Sequence, residues 1–137
     1  MAAVRQVGTA PELALRRALW SAGLRGYRIA PAVLPGRPDV VFPRWKIAIF
    51  VDGAFWHGHP SKFPGDRMSA YWVEKIRRNR ARDRSNVREL TKLGWSVVRF
   101  WDFEIESEPL TVVRAVRRLI RPSLLAQRRA RQGRART

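Results

Sequence analysis

The stretch Ile47-Ala48-Ile49-Phe50-Val51-Asp52-Gly53-Ala54-Phe55-Trp56-His57 decides how this chain is read. Its first five residues form an unbroken apolar run of the kind that makes a strand buried on both faces. Asp52-Gly53 ends that strand abruptly, so a carboxylate, two large aromatics and an imidazole arrive at one rim of a sheet. Upstream, Pro35-Gly36-Arg37-Pro38-Asp39 leads into a second strand, Val40 to Phe42, and Pro43-Arg44-Trp45 can turn the chain back into Lys46 to Val51. A hairpin of these strands sets Asp39 beside Val51 and Asp52. Two strand-end acids near a histidine are the parts needed to hold a hard cation and move a proton at a phosphodiester.

Working outward, Thr9-Ala10-Pro11-Glu12 predicts a helix start, with Thr9 at the N-cap and Glu12 placed for a capping box. That helix runs to about Ala22 and stops at Gly23. A short strand near Tyr27 to Ala30 precedes the turn-rich stretch that contains Asp39. Gly58 to Ser69 has loop composition, and Ala70 to Leu93 predicts a long helix ended by Gly94. Trp72, Ile76, Val87 and Leu90 keep helical spacing on it, and Asn79 and Asp83 continue the same inward stripe. Most of the remaining positions are basic, including Lys75, Arg77, Arg78, Arg82, Arg84 and Arg88. Trp95 to Trp101 alternates as a strand, and Leu110 to Ile120 closes with an amphipathic helix. The expectation is an α/β fold, with residues 1–121 as one domain and 122–137 as a basic, flexible tail.

The chain has 137 residues, room for a single core, and its 45% hydrophobic content excludes a disordered basic protein. Lys plus Arg is 28 against 11 Asp plus Glu, a formal charge of +17 that implies a polyanionic partner, nucleic acid above all. A ribosomal or nucleoid-type structural protein, or a polybasic membrane binder, would carry similar charge, so charge alone does not select an activity. The absence of cysteine excludes disulfides and thiolate metal sites. With neither a membrane-length apolar stretch nor a signal segment, the chain is expected in the cytoplasm.

Each candidate site residue has a plainer reading beside the chemical one. Asp39 after Pro38 is also turn chemistry, and Asp52-Gly53 is a turn signal by itself; the Val51 carbonyl could serve a magnesium ion in place of Asp52. His57 is either a structural imidazole or a base able to take a proton from water at neutral pH. Glu12 either completes the capping box or points to the sheet with Leu15 and Leu19. Asp83 either pairs with an arginine or holds His57 or metal-bound water. Phe55, Trp56 and Trp72 are either core or wedges between base pairs, and the helix arginines either a solvated face or a phosphate-binding one.

Taken in order, Pro35 to Asp39, Phe50 to His59, Trp72 to Lys75, Asn79, Arg82-Asp83, Leu93-Gly94-Trp95 and Trp101-Asp102 resemble the very-short-patch-repair mismatch endonucleases, over about residues 9 to 105. The resemblance implies a restriction-endonuclease-like PD-(D/E)XK core of three layers, a central mixed sheet flanked by helices. It also implies Mg²⁺-dependent nicking of one DNA strand beside a T·G mismatch. By it, Asp39 and the Val51 carbonyl are metal ligands, His57 is the general base, and Glu12 and Asp83 organise metal-bound water or the base. Phe55, Trp56 and Trp72 intercalate, and Arg37, Lys75, Arg78, Asn79 and Arg82 join them as expected DNA contacts. Asp52 stands where some members carry histidine, and its role stays open. The superfamily's lysine is missing after Asp52, as expected if His57 replaces it. Where members hold a structural zinc, this chain has His59, Ser61 and Phe103, so no zinc is expected. The arm before Thr9 is short for the family.

The expected function is therefore a monomeric Mg²⁺-dependent endonuclease acting on double-stranded DNA at T·G mismatches, in the cytoplasm with the nucleoid. Mismatch-repair proteins or a cognate cytosine methyltransferase system are candidate partners. The alternatives are a related nuclease of restriction or phage defence without mismatch specificity, and a non-catalytic DNA-binding protein of the same fold.

Overall fold

A computed structural model describes residues 9–53 and 70–120. The order is α1 (Ala10–Ser21), β1 (Arg28–Ile29), β2 (Val40–Phe42), β3 (Ile47–Asp52), α2 (Ala70–Lys92), β4 (Ser96–Trp101) and α3 (Asp102–Ser107), followed by α4 over 109–120. The strands form one mixed sheet in the order β1-β2-β3-β4. β1, β2 and β3 run antiparallel, and β4 joins β3 in parallel. A parallel neighbour cannot be reached by a tight turn, so α2 is the crossover.

β3 is the central strand, with five of its six residues buried. Its side chains alternate between two cores. Ile47 and Ile49 pack with Val40, Phe42 and Phe100 against Leu15 and Leu19 of α1, Ile105 of α3 and Val112, Val116 and Ile120 of α4. Ala48 and Phe50 pack with Val41 against Leu90 of α2, flanked by Leu34, Trp95 and Val97. The result is three layers: α1, α3 and α4 on one face, the sheet, and α2 on the other. This is the restriction-endonuclease-like α/β arrangement expected above. No helix among the described residues is long and apolar enough to cross a membrane.

Both glycine helix stops are Schellman motifs. After α1, Leu24 N–H donates to the Leu19 carbonyl (3.0 Å) and Gly23 N–H to Trp20 (3.0 Å). After α2, Trp95 N–H donates to Leu90 (3.0 Å) and Gly94 N–H to Thr91 (3.0 Å), which folds Trp95 onto Leu90 in the α2-side core.

Three local expectations are corrected. The capping box at Thr9 does not form: Thr9 is the N-cap, but its side chain makes no cap bond. Glu12 is instead buried, 7% exposed, on the face of α1 that carries Leu15 and Leu19. β1 shrinks to Arg28–Ile29, because the register with β2 holds only for Arg28↔Val41 and Ile29↔Val40. An extra helix, α3, fills the span after β4, where Glu104 Oε1 reaches back to accept the Trp101 N–H at 3.2 Å. The Gly58 to Ser69 loop, the arm before Thr9 and the tail lie outside the described residues.

The turn before β2 is seated by a close approach. Gly36 has φ +73°, and a Cβ there would meet Asn86 Cβ of α2 at 2.8 Å. Leu34 O accepts the Arg37 N–H at 3.1 Å across Pro35-Gly36, the two-residue combination suited to a type II turn. Gly26 has a similar φ of +84° with nothing near its would-be Cβ. Gly36→Ala should therefore cost about 2–4 kcal/mol, left-handed strain plus overpacking, against about 1 kcal/mol for Gly26→Ala. Urea denaturation of the two variants measures the difference.

Candidate active site

Asp39 heads β2 with only 3% of its surface exposed. Its N–H donates to the Ile49 carbonyl at 2.9 Å, although Ile49 already faces Val40 in the register. Two residues thus oppose one, the offset of a β-bulge, a device that re-aims a side chain. The Asp39 carboxylate accepts the Val51 N–H through Oδ2 at 2.7 Å. A strand residue's N–H and C=O point toward the same neighbouring strand, so the Val51 carbonyl turns to the Asp39 side.

Asp52 projects on the opposite side of the β3 pleat from Val51, with Ala48 and Phe50, toward α2. Arg99 of β4 sits beside Phe50 in the parallel register. Its guanidinium lies 4.4 Å from the centre of the Phe50 ring. It reaches along β3 to grip both Asp52 oxygens, Nε to Oδ2 at 2.9 Å and Nη2 to Oδ1 at 2.7 Å. Nη2 also lies 3.4 Å from Asp83 Oδ2 on α2. Burial opposes the charge on this guanidinium. The hydrogen bonds and charge of Asp52, and then the charges of Asp83 and Asp39, outweigh it and hold Arg99 protonated more firmly than an ordinary arginine. Asp83 and Arg99, with Arg84, Val87 and Arg88, line a cavity of about 350 Å³.

The sequence-predicted acids are distributed around the end of the sheet. Asp39 stands at the head of β2 and Asp52 at the end of β3, Asp83 approaches from α2, and Glu12 stands on α1 across the sheet, 3.8 Å from Arg16 Nη2. Asp83 takes the arginine partner weighed for it, and its side chain is 27% exposed, not deeply buried. His57, Phe55 and Trp56 lie outside the described residues. Arg99 escaped the sequence reading; its signal is a lone charge inside the alternating strand Ser96 to Trp101.

The expected DNA contacts share α2 and the turn before β2. Trp72 is half-buried, edge-on to the exposed Tyr71 at 5.4 Å between ring centres. Lys75 Nζ lies 5.4 Å from the Trp72 ring. Arg78 donates to Glu74 at 3.2 Å, and Arg77 grips the same carboxylate with bonds of 2.6 and 2.9 Å. Those bonds, Arg77's first, hold the Glu74 carboxyl at about 2 against burial. Arg37 and Arg82 are exposed, and Asn79 is half-buried.

Among the described residues no group of three or more His, Cys, Asp or Glu side chains is arranged to hold a metal ion. A carboxylate and a strand carbonyl on one edge nevertheless suit magnesium, a hard ion usually held by one or two carboxylates with water and substrate phosphate filling its octahedron.

A mixed sheet layered between helices, on a strongly basic chain, is the architecture of the restriction-endonuclease-like class. The family model of the DNA mismatch endonuclease Vsr matches residues 1–62. The type II nicking enzyme V.NmeDIP of Neisseria meningitidis serogroup C is 40% identical over 119 residues, covering 83% of this chain and 78% of that one. V.XorIIP of Xanthomonas oryzae, also a type II nicking enzyme, is 43% identical over 108 residues, 77% and 78% of the two chains. The DNA mismatch endonuclease Vsr of Escherichia coli is 40% identical over 105 residues, 74% and 66%. The chain belongs to the Vsr family of DNA endonucleases.

The burial of the two pairs orders their worth. Asp52, 9% exposed, makes two short bonds to Arg99, whereas Asp83 is 27% exposed and lies 3.4 Å from the same guanidinium. Asp52→Ala should cost about 2–3 kcal/mol, because it strands a part-buried charge, and Asp83→Ala about 1 kcal/mol or less. Thermal or urea unfolding of the two variants checks the order.

Proposed function

We propose that this protein is a Mg²⁺-dependent endonuclease that nicks one strand of duplex DNA beside a T·G mismatch. The observation that carries the reading is the Asp39 carboxylate bound to the Val51 N–H, which turns one acid and one strand carbonyl to the same edge. In this reading those two groups hold the ion, and His57 accepts the proton of the attacking water. Glu12 from the α1 face and Asp83 from the α2 face orient that water or the imidazole. When bound, Mg²⁺ supplies charge stabilisation at the phosphorus.

The exposed arginines of α2, with Lys75 and Arg37, bind backbone phosphates, and Phe55, Trp56 and Trp72 enter the stack at the mismatch. Mismatch recognition is supported by the name of the Escherichia coli relative. The relatives named type II nicking enzymes favour single-strand cleavage and give substance to the rival reading, a restriction-associated nuclease without mismatch preference. A monomer acting in the cytoplasm on nucleoid DNA, alongside mismatch-repair proteins or a cytosine methyltransferase system, completes the proposal.

End-labelled matched, T·G and abasic duplexes, incubated with Mg²⁺ or EDTA and resolved on a denaturing gel, test it. The expected result is one Mg²⁺-dependent nick beside T·G alone. Equal cutting of all three selects the rival nuclease, and no cutting leaves a binding protein. Asp39→Ala should lower the nicking rate about 1,000-fold, or about 4 kcal/mol of barrier, with DNA affinity changed less than about threefold.

A further inference from the structure

The reaction proposed above makes no use of the cavity between α2 and β4. About 350 Å³ in volume, it is lined by Asp83, Arg84, Val87 and Arg88 of α2 and by Arg99 of β4. The four α2 residues are spaced at i, i+1, i+4 and i+5, so they form one stripe of the helix. The wall is mostly apolar. With a single valine in it, the arginine stems must supply the rest, which leaves their charged heads at the rim.

The three cations are not equivalent. Arg99 is held in place, bonded to Asp52 at 2.7 and 2.9 Å and set 4.4 Å from the centre of the Phe50 ring. Arg84 and Arg88 are exposed, and among the described residues neither pairs with an acid, whereas Arg77 and Arg78, nearer the start of α2, share Glu74. Asp83 is the one carboxylate among the three guanidinium groups of the lining. That balance excludes a divalent cation and selects an anion. A phosphate alone would leave the apolar wall uncovered. The volume lies at the lower end of the roughly 300–1,000 Å³ of small-molecule sites, which is room for a single nucleotide.

We propose that this cavity is a nucleotide subsite. The phosphate sits between Arg84 and Arg88, whose guanidinium forks match phosphate oxygens. The base lies on Val87 and the arginine stems, and its exocyclic amine donates to the Asp83 carboxylate, as cytosine does to acidic side chains elsewhere. A base inside a duplex has both faces stacked, so the ligand is an unpaired nucleotide, either free or part of a strand. The inference draws on membership of a DNA endonuclease family and not on the metal reading of Asp39 and Val51.

Calorimetric titration of the full-length protein in EDTA, where metal-dependent cleavage is silent, tests it. The probes are dCMP, dTMP, deoxyribose 5-phosphate, a single-stranded tetranucleotide of cytosine and a tetraglutamate peptide. One dCMP should bind per chain. Deoxyribose 5-phosphate should bind about tenfold more weakly for want of a base, and dTMP about threefold more weakly for want of the amine. Arg84→Gln combined with Arg88→Gln should weaken dCMP binding about tenfold or more. The same charge removed across the sheet, by Arg114→Gln with Arg118→Gln on α4, should change it less than about twofold. All four arginines are exposed, so these variants keep the fold.

Equal affinity for dCMP, dTMP and the sugar phosphate overturns the inference. So does tetraglutamate binding as tight as dCMP, an equal loss in the two double variants, or no binding of either dCMP or the tetranucleotide. Once the subsite holds, a tetranucleotide bound more than about tenfold tighter than dCMP assigns it to a strand, and a smaller difference to a free nucleotide.

Discussion

The hydrogen bond from the Val51 N–H to the Asp39 carboxylate, 2.7 Å long, is the contact on which the site depends. It joins the head of β2 to the end of β3, beyond the last registered pair of the hairpin, Val40↔Ile49. The two-against-one offset at Asp39 lets a residue that would otherwise face Phe50 turn its side chain along the strand edge. The turn that delivers Asp39 is held from behind by Gly36 against Asn86 of α2. The crossover helix therefore braces the acid and also covers the sheet.

Electrostatics divides the molecule in two. The chain as a whole carries +17, and α2 turns arginines outward along most of its length. At the end of the sheet Asp39, Asp52 and Asp83 all act on the guanidinium of Arg99. A basic surface draws a polyanion in, and a locally acidic end keeps a place for a cation against that background. Glu74, gripped by Arg77 and Arg78, trims the positive face near Trp72 and leaves the later arginines of α2 as its stronger part.

The elements legible in the sequence are those fixed by short-range rules. Gly23 and Gly94 end their helices because only a left-handed residue closes a Schellman turn. β3 was readable because a strand covered on both faces needs no polar alternation, and the hairpin because Pro43-Arg44-Trp45 leaves few ways for the chain to return. What escaped depends on pairing at a distance. Arg99 meets Asp52 across 47 positions of sequence, through a parallel register that neither strand reveals alone. For Glu12 the spacing fits both a capping box and the inward face shared with Leu15 and Leu19, and of the two the structure has the buried face. α3 was hidden because its helical cap is Glu104 reaching back to Trp101, a pattern whose N-cap residue is not among the usual ones.

The central claim is that Asp39 and the Val51 carbonyl together hold the ion. Anomalous diffraction from crystals soaked in Mn²⁺ tests it most directly. The account predicts a peak about 2.1 Å from both an Asp39 carboxylate oxygen and the Val51 carbonyl oxygen, with the Asp52–Arg99 pair intact. A peak bound by Asp52, with Arg99 displaced, would contradict it.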